Sequence, residues 1–316
     1  MIMSETFSLT SDAFEEADVE HYLIANSVPI STPSLQADLQ RYCDDSDYVT
    51  LYKETELSSL IDMSPYVVKV HQDHPLLHQY IHNAEANTHW SGILLTVTKD
   101  ISFKSLLNHL RQRLLVSFSQ GRKGILHFAN PAVANYFFSE TIEQTDTNTW
   151  LGPIKQVCWY GPNHSPNQGL WCKIHNVQAA LETPSSDEDP TSSLQWIMTA
   201  SQAFAFKLQN IDKALTDYFA QMSLSVTDRQ QWLAYREHFQ DAETLGFTQF
   251  ENIYHYLSLC EKKPSHGQQD DNYRIETKTK RLIEQVDIQT VQSLQEDQKI
   301  PHIAQLLEKE TSYVNG

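Results

Sequence analysis

The chain of 316 residues is long enough for two domains, and its hydrophobic content of 40% is compatible with a well-formed core. Its 23 basic and 40 acidic residues give a formal charge of -17, which disfavours long-range attraction to nucleic acid or to an anionic membrane. This charge favours a basic surface on a protein partner, and support of solubility explains it at least as well.

The start of the chain, residues 1–18, is polar and acidic, and we expect a mobile arm there. Because no Lys or Arg precedes Arg41, we expect neither a secretory signal nor a transit peptide. No apolar run approaches the roughly 20 residues that span a bilayer. The four cysteines form no paired framework, which favours a reducing compartment. We therefore expect a cytoplasmic protein.

Residues 19–181 alternate strand and helix patterns. Apolar and β-branched runs predict strands at 21–28, 48–52, 66–70, 90–95, 115–118, 124–128, 154–160 and 170–175. Helical spacing predicts helices at 34–42, 75–84, 103–114 and 133–142, with a helical turn at 57–61. The pattern predicts an α+β (α/β-like) lobe with a mixed sheet of about six strands.

A linker is predicted at 182–193, where the stretch 182–190 contains two prolines, four acids and no apolar residue. Beyond it, apolar residues recur at helical spacing from Leu194 to Met222 and predict one long amphipathic helix. Residues 194–316 should therefore form an all-α helical lobe.

Further helix ends in this lobe follow from capping patterns. The spacings Thr227 with Gln230 and Thr248 with Glu251 are those of capping boxes and predict two helix starts. Gly246 is placed to end the helix between them. A loop is predicted at 263–271, followed by a charged helical tail that Pro301 should interrupt.

An ordered series of short motifs runs through the first lobe, and its members are irregular residue choices that a generic core would not need. They are Leu51-Tyr52, Pro65-Tyr66, Trp90 with Gly92, His109 with Arg111, Asn130-Pro131 and Gly152-Pro153. Pro65 disfavours helix at the residue before it, so a strand should begin there. Gly92 indicates a bulge or a close backbone approach.

This series resembles the adaptor family of bacterial type VI secretion, also called effector chaperones and long catalogued only as a domain of unknown function. The family has Leu-Tyr, Pro-Tyr-Leu, Trp-Gly-Ile-Leu, His-Leu-Arg, Arg-Phe-Tyr-Asp-Pro and Gly-Pro in the same order. This chain departs from the fifth motif, with His127 in place of Arg and Ala129-Asn130 in place of Tyr-Asp. The resemblance is close over residues 51–161.

The resemblance implies a non-catalytic cytoplasmic adaptor that binds a toxic effector and helps load it onto the secretion spike protein. It implies no enzyme activity and no cofactor, and it assigns the motif residues a structural role. The sequence assigns no oligomeric state. Large aromatic side chains in the helical lobe are the residues we expect to contact the partner. They are Trp196, Phe204, Trp232, Tyr235, Phe239 and Tyr254.

Two clusters of histidine or cysteine are candidate metal sites, and the first supports an alternative interpretation of the protein as a metal-dependent hydrolase. His74, His78 and His82 are spaced so that one helix would present successive imidazoles, which can hold zinc or nickel. The set lacks a further ligand, and solvated surface histidines are the favoured interpretation. A second cluster is interpreted as buried cysteines rather than as zinc ligands. It comprises Cys158, His164, Cys172 and His175.

Two further alternatives concern His109 and the protein's role. His109 invites a catalytic interpretation with Arg111, but residues two apart on a helix point roughly 200° from each other. We therefore expect His109 to be a hydrogen-bonded, partly buried group. An immunity protein that blocks a toxin would also bind one partner tightly, and it would by itself protect a cell from that toxin.

Overall fold

The computed structural model describes residues 18–26, 35–86, 90–118, 121–139, 142–176, 178, 196–261 and 282–314. The chain divides into two compact units, one of residues 1–163 and 167–208 and the other of residues 164–166 and 209–316. We call them the sheet unit and the helical unit. Residues 1–17 of the predicted arm, the predicted linker at 182–193 and the predicted loop at 263–271 lie outside the described residues.

The sheet unit contains nine described strands in two sheets. In chain order they are β1 (Val19–Asn26), β2 (Tyr48–Thr50), β3 (Tyr66–Val70), β4 (Ser91–Thr98), β5 (Leu115–Ser117), β6 (Lys123–Ile125), β7 (Ile154–Tyr160), β8 (Trp171–His175) and β9 (Trp196–Ile197). Six form one sheet in the order β2-β3-β1-β4-β7-β8, and the others form a small sheet in the order β6-β5-β9.

The six-strand count agrees with the prediction, but the pairings of the large sheet are antiparallel rather than mixed. The helix between β3 and β4 is a crossover, which usually joins parallel neighbours. Here β1 lies between the two strands and runs antiparallel to both, so they never pair with each other. A parallel pair occurs in the small sheet, where Val116 lies opposite Trp196.

Successive residues of the central strands point to opposite faces of the large sheet, and both faces are buried. One layer of helices covers each face. Leu23 and Leu94 face α1 (Leu35–Tyr42) and α2 (Pro75–Ala86). Tyr22 and Leu95 face the second layer, which consists of α3 (Phe103–Gln112), α4 (Pro131–Phe137) and α5 (Gln144–Leu151).

The predicted helix at 133–142 is wrong in its limits. Asn130 is the N-cap, its Oδ1 accepting from the backbone N–H of Ala132 at 2.9 Å, and Pro131 occupies the first turn. The helix therefore starts two residues earlier than expected, and the separate helix α5 follows it.

The helical unit confirms the prediction of an all-α second lobe. Its helices are α6 (Ala200–Gln221), whose first part belongs to the sheet unit, α7 (Arg229–Thr244), α8 (Phe250–Cys260), α9 (Ile288–Ser293) and α10 (Glu296–Val314). The predicted interruption at Pro301 is wrong, because α10 runs through it. Proline removes a single backbone N–H donor from the helix. In α10 this missing donor lies near the start of a long helix.

The start of α6 lies at Ala200 rather than at Leu194. The backbone N–H of Gln202 donates to Thr199 Oγ1 at 3.3 Å, and the backbone N–H of Thr199 donates to Gln202 Oε1 at 3.1 Å. This reciprocal pair is a capping box, which satisfies two donors that a helix start leaves free. Trp196, ahead of the cap, is therefore a strand residue.

The two predicted capping boxes of the helical unit are wrong. Asp228, not Thr227, caps α7, its carboxylate accepting from the backbone N–H of Gln230 at 2.6 Å. At α8 the capping carboxylate belongs to Glu296 of α10, which accepts from the backbone N–H of Thr248 at 2.9 Å and of Gln249 at 2.8 Å. These bonds, with one from the Thr248 hydroxyl, lower the pKa of Glu296 to about 2.

The same turn of α10 also caps the end of α7. Lys299 Nζ is buried and donates to the carbonyls of Leu245 and Gly246, both at 2.8 Å. Gly246 ends the helix with φ of 82°, as its position predicted, and a Cβ there would lie 2.7 Å from that ammonium. The negative charge of Glu296 thus lies at the start of α8 and the positive charge of Lys299 at the end of α7. These are the helix ends at which the helix dipole stabilises each charge.

Candidate functional site

The Leu51-Tyr52 motif forms a buried corner after β2. The backbone N–H of Leu51 donates to the Pro65 carbonyl at 2.9 Å, and that of Tyr52 donates to Ser64 Oγ at 2.9 Å. The Leu51 carbonyl accepts from Arg111 Nε at 3.3 Å. Three motif pieces therefore meet at one corner and join segments that are distant in sequence.

Arg111 and His109 contact different neighbours from the same helix. Arg111 Nη1 lies 3.0 Å from Glu54 Oε2, beyond the Leu51 corner. His109 Nε2 lies 3.1 Å from the carbonyl oxygen of Trp150. The two side chains do not share a site. Tyr66, the remaining member of this group of motifs, begins β3 and packs edge-on against Tyr48.

Close contact with His109 explains why the Gly152-Pro153 motif has a glycine at its first position. Gly152 follows α5 with φ of 51°, and a Cβ on it would lie 2.6 Å from Cε1 of His109. Asn176 Nδ2 also donates to the Gly152 carbonyl at 2.8 Å. A side chain at this position would strain the backbone and displace the imidazole, so the motif fits a close contact. Pro153 leads into β7.

Burial, with a smaller contribution from the Arg113 charge, lowers the pKa of His109 to about 3, although its hydrogen bond to the Trp150 carbonyl acts in the opposite direction. The imidazole is therefore neutral in the folded protein at physiological pH. A neutral ring held against a carbonyl is suited to positioning α5 rather than to exchanging protons.

His109→Gln should reduce the loss of stability in mild acid. The unfolded imidazole gains its proton near pH 6.5, whereas the folded ring does so only near pH 3, so the stabilisation by neutral His109 is complete above pH 6.5 and lost as the pH falls toward 3. The contribution of His109 to the slope of the unfolding free energy against pH should stay below about 1.4 kcal/mol per pH unit, because solvent reaches part of the ring. Denaturant unfolding of the wild type and of His109→Gln from pH 7 to pH 4 measures this slope.

The exposed His78 provides the control for this experiment. His78→Gln should leave the pH slope of the wild-type protein unchanged. An unchanged slope in His109→Gln as well would contradict the assignment.

The other motif residues line a cleft of about 340 Å³ in the sheet unit. The cleft lies between the end of α2, the start of β4, the start of α4 and the end of β7. Its lining residues are Tyr80, Asn83, Ala84, Trp90, Ser91, Gly92, Asn130, Pro131, Ala132, Tyr160, Gly161, Pro162 and Asn163. It is the candidate site of this unit, and we call it the Asn83 cleft.

Hydrogen bonds fix the walls of the Asn83 cleft. Tyr80 is fully buried, and its hydroxyl donates to the Gly92 carbonyl at 2.9 Å. Trp90 stacks on Tyr80, and its indole N–H donates to Asp38 Oδ2 at 2.7 Å. Gly92 makes the close approach that its sequence predicts, since a Cβ there would lie 2.4 Å from the Ile24 carbonyl oxygen.

Asn83 is the cleft residue that sequence reasoning missed. Its side chain is 1% exposed, its Oδ1 accepts from Gln79 Nε2 at 2.8 Å, and its Nδ2 has no hydrogen-bond partner in the described structure. A signal was present, because Asn83 stands three residues after Tyr80 on the apolar face of α2. A polar residue on such a face needs a partner.

The histidine series does not lie on one helix as predicted. His74 precedes α2 and caps it, its Nδ1 accepting from the backbone N–H of Leu76 at 3.2 Å, while His78 and His82 are exposed residues of the helix. Desolvation, with the nearby His71, lowers the pKa of His74. Within the described ranges no three His, Cys, Asp or Glu side chains are grouped to hold a metal.

Cys158 and Cys172 are buried on opposite faces of the large sheet. Cys172 pairs across the strands with Trp159, so its side chain shares a face with that ring and not with Cys158. Burial raises the pKa of the Cys158 thiol to about 12. These two thiols therefore cannot bind one metal, and His175 is exposed at the end of β8.

The aromatic residues expected to contact a partner are distributed between the two units. Trp196 belongs to the sheet unit, where its indole N–H donates to Gln202 Oε1 at 3.0 Å and the Arg113 guanidinium lies over its ring. Phe204, on the part of α6 in the same unit, is 44% exposed and offers an accessible ring.

In the helical unit, Trp232, Tyr235 and Phe239 are core residues, each at most 3% exposed. They could contact a partner only if the unit opened. Tyr254 is half-buried, and its hydroxyl donates to the Ala214 carbonyl at 3.0 Å. Among the described residues of this unit, Phe250 has an exposed aromatic ring, and this ring stacks on Tyr254.

Residues 21–147 match the model of a family described as a domain of unknown function, DUF4123. The matched range extends from β1 into α5 and includes every motif except Gly152-Pro153. Neither the search of curated proteins nor that of solved structures found a match. Among the described helices, none combines the length and the apolar character needed to cross a membrane.

Proposed function

We propose that this protein is a non-catalytic adaptor of bacterial type VI secretion, which binds a toxic effector in the cytoplasm and helps load it onto the secretion spike protein. One agreement carries the proposal. The motif series that resembles the adaptor family, from Leu51 to Pro131, falls inside the range that the domain model matches.

The contacts of the motif residues support a scaffold. Arg111 binds the Leu51 corner, neutral His109 binds the Trp150 carbonyl, and Asn130 caps α4. These groups are engaged within the sheet unit, which fits a protein that presents surfaces rather than reacting groups. The formal charge of -17 favours a basic effector segment.

A secretion experiment tests the proposal in the bacterium that encodes the chain. Affinity purification of the tagged full-length chain should recover an effector together with the spike protein. Deleting the gene should stop export of that effector and leave the export of other substrates intact, and restoring the gene should restore export. Unchanged export after deletion would overturn the proposal.

The immunity alternative predicts a different phenotype. The effector is expressed with this chain in a susceptible cell that has no secretion apparatus. An adaptor should not be sufficient for survival at full effector activity, whereas an immunity protein should. Survival that depends on this chain would assign it the protective role.

A further inference from the structure

One surface of the helical unit presents an aromatic ring to solvent. Phe250, in the first turn of α8, is 57% exposed, and its ring stacks on that of Tyr254 one turn later, with 6.4 Å between the centroids. The buried ring of Phe239 on α7 supports it from behind, at a centroid distance of 6.2 Å. The Tyr254 hydroxyl donates to the Ala214 carbonyl, which fixes the second ring. The Phe250 ring is therefore held in place and remains accessible from outside.

Carboxylates flank this pair of rings. Glu251 lies one turn before Tyr254, so the two side chains are neighbours on the helix surface. Burial raises the pKa of Tyr254, and the nearby charge of Asp217, an exposed residue of α6, raises it further. The carboxylate of Glu296 caps the start of the same helix. We call Phe250, Tyr254 and these three carboxylates the Phe250 surface.

The negative charge of the Phe250 surface exceeds the positive charge beside it. Among the described residues, neither Asp217 nor Glu251 forms an ion pair. Lys213, one turn before Asp217 on α6, is a single exposed cation beside three carboxylates. The ammonium of Lys299 is buried against backbone carbonyls and does not reach the exposed rings. The surface therefore offers carboxylates to a cation from outside.

This composition selects a cationic side chain over an apolar helix. A helix docked in a groove needs a row of apolar contacts, whereas the exposed positions of α8 beside Phe250 carry Glu251 and His255. A cation over an aromatic ring is attracted by the negative face of the ring, and arginine makes this contact more often than lysine. The planar guanidinium also matches the geometry of a carboxylate. One arginine can therefore use the ring and a flanking carboxylate together.

Charge also distinguishes the possible sources of that arginine. A symmetric contact with a second copy of the chain would bring the carboxylates of the surface against like charges. Residues 1–17 and 182–193 each contain four acidic residues and no Lys or Arg. Residues 262–281 contain six basic and three acidic residues, but the two lysines at their start follow the opposite end of α8, roughly 15 Å along the helix from Phe250. A basic segment of a partner is therefore the favoured source.

We propose that the Phe250 surface binds an arginine in a basic segment of the effector, with the guanidinium over the Phe250 ring and paired with a flanking carboxylate. The identity of the partner rests on the proposed function, whereas the chemistry of the ligand rests on the surface alone. The two can therefore fail separately.

Peptide binding to the full-length protein tests the ring. The probe is a labelled arginine-containing peptide, and the comparison is the same peptide with citrulline, which keeps the shape of arginine and removes its charge. At low salt, Phe250→Leu should weaken binding of the arginine peptide about two- to fivefold, as expected for one exposed cation–π contact, and leave binding of the citrulline peptide unchanged. Phe204→Leu, at an exposed position of the sheet unit, is the matched control and should bind like the wild type. Equal effects of the two substitutions would overturn the proposal.

A pair of double variants tests the carboxylates at constant net charge. Asp217→Asn with Glu251→Gln should weaken binding of the arginine peptide at low salt, and the difference from the wild type should shrink at high salt. Glu56→Gln with Asp62→Asn removes two exposed carboxylates of the sheet unit and is the control. Substitutions at exposed positions should leave the melting temperature almost unchanged, which separates binding from folding. Equal weakening by both double variants would show general attraction to the acidic chain and contradict the assignment.

Photocrosslinking in the native bacterium identifies the occupant. A photoreactive phenylalanine analogue at Phe250 of the full-length chain should crosslink to an arginine-bearing segment of the exported effector, and the same analogue at Phe204 should not reach that segment. A crosslink to residues 262–281, to a second copy or to an effector segment without arginine would overturn the proposal and leave the adaptor function intact, as would no crosslink. Unchanged export after gene deletion, with peptide binding still dependent on Phe250, would instead overturn the adaptor function and leave the ligand chemistry intact.

Discussion

Replacing Asp212 with alanine should lower the free energy of unfolding of the helical unit by about 3–5 kcal/mol. Asp212 is fully buried on α6, where its Oδ1 accepts from Trp232 Nε1 at 2.9 Å and from Arg236 Nε at 3.0 Å, and its Oδ2 pairs with Arg236 Nη2. The alanine variant would leave a largely buried guanidinium and an indole N–H without their acceptor. Such uncompensated burial is among the costliest single changes.

Urea unfolding of the full-length protein, followed by tryptophan fluorescence and by far-ultraviolet circular dichroism, measures this effect. Asp217→Ala provides the matched control, because Asp217 is an exposed residue of the same helix. It should change the unfolding free energy by no more than about 0.5 kcal/mol. Equal effects of the two substitutions would show that the Asp212 pair does not hold the unit together.

Trp150→Ala should destabilise the sheet unit by about 3–5 kcal/mol, the usual cost of deleting a buried indole. The Trp150 ring is 1% exposed and packs edge-on against Phe128, Phe137 and Phe138, with centroid distances of 5.1–5.3 Å. Its carbonyl also holds His109. Truncation would therefore open a cavity where two helices and a motif residue meet.

Trp150→Phe is the matched comparison and should cost less than Trp150→Ala, because it leaves a smaller cavity. The indole nitrogen is buried with no hydrogen-bond partner among the described residues, so phenylalanine loses ring volume but no hydrogen bond. Unfolding of both variants under identical conditions separates packing from polarity. Equal losses would indicate that the indole N–H binds a group essential to the fold.

Local signals explain which parts of the fold were predictable. Strands β3 and β7 have the limits that their apolar runs predict, and Gly246 ends α7 as its position indicates. The start of α6 is also encoded locally, because Thr199 and Gln202 have capping-box spacing, but the apolar periodicity that continues back to Leu194 predicts an earlier start. A cap sets a helix boundary that periodicity alone does not.

Other features depend on contacts that no local pattern contains. Thr248 has the spacing of a capping residue, yet the carboxylate that satisfies this helix start comes from Glu296. Likewise, helix and strand alternation does not reveal that β1 lies between β3 and β4. At the candidate site, Trp90 and Gly92 belong to a motif, but their proximity to Asn83 required the fold.

The two caps supplied by α10 have a consequence for the order of events during synthesis. Thr248 precedes Glu296 by 48 residues, and Leu245 precedes Lys299 by 54. At roughly 5–20 residues per second, the ribosome completes the α7–α8 corner about 2–11 s before the residues that cap it. During that interval the corner's free N–H and C=O groups depend on water. The helical unit therefore completes its fold late, when α10 is made.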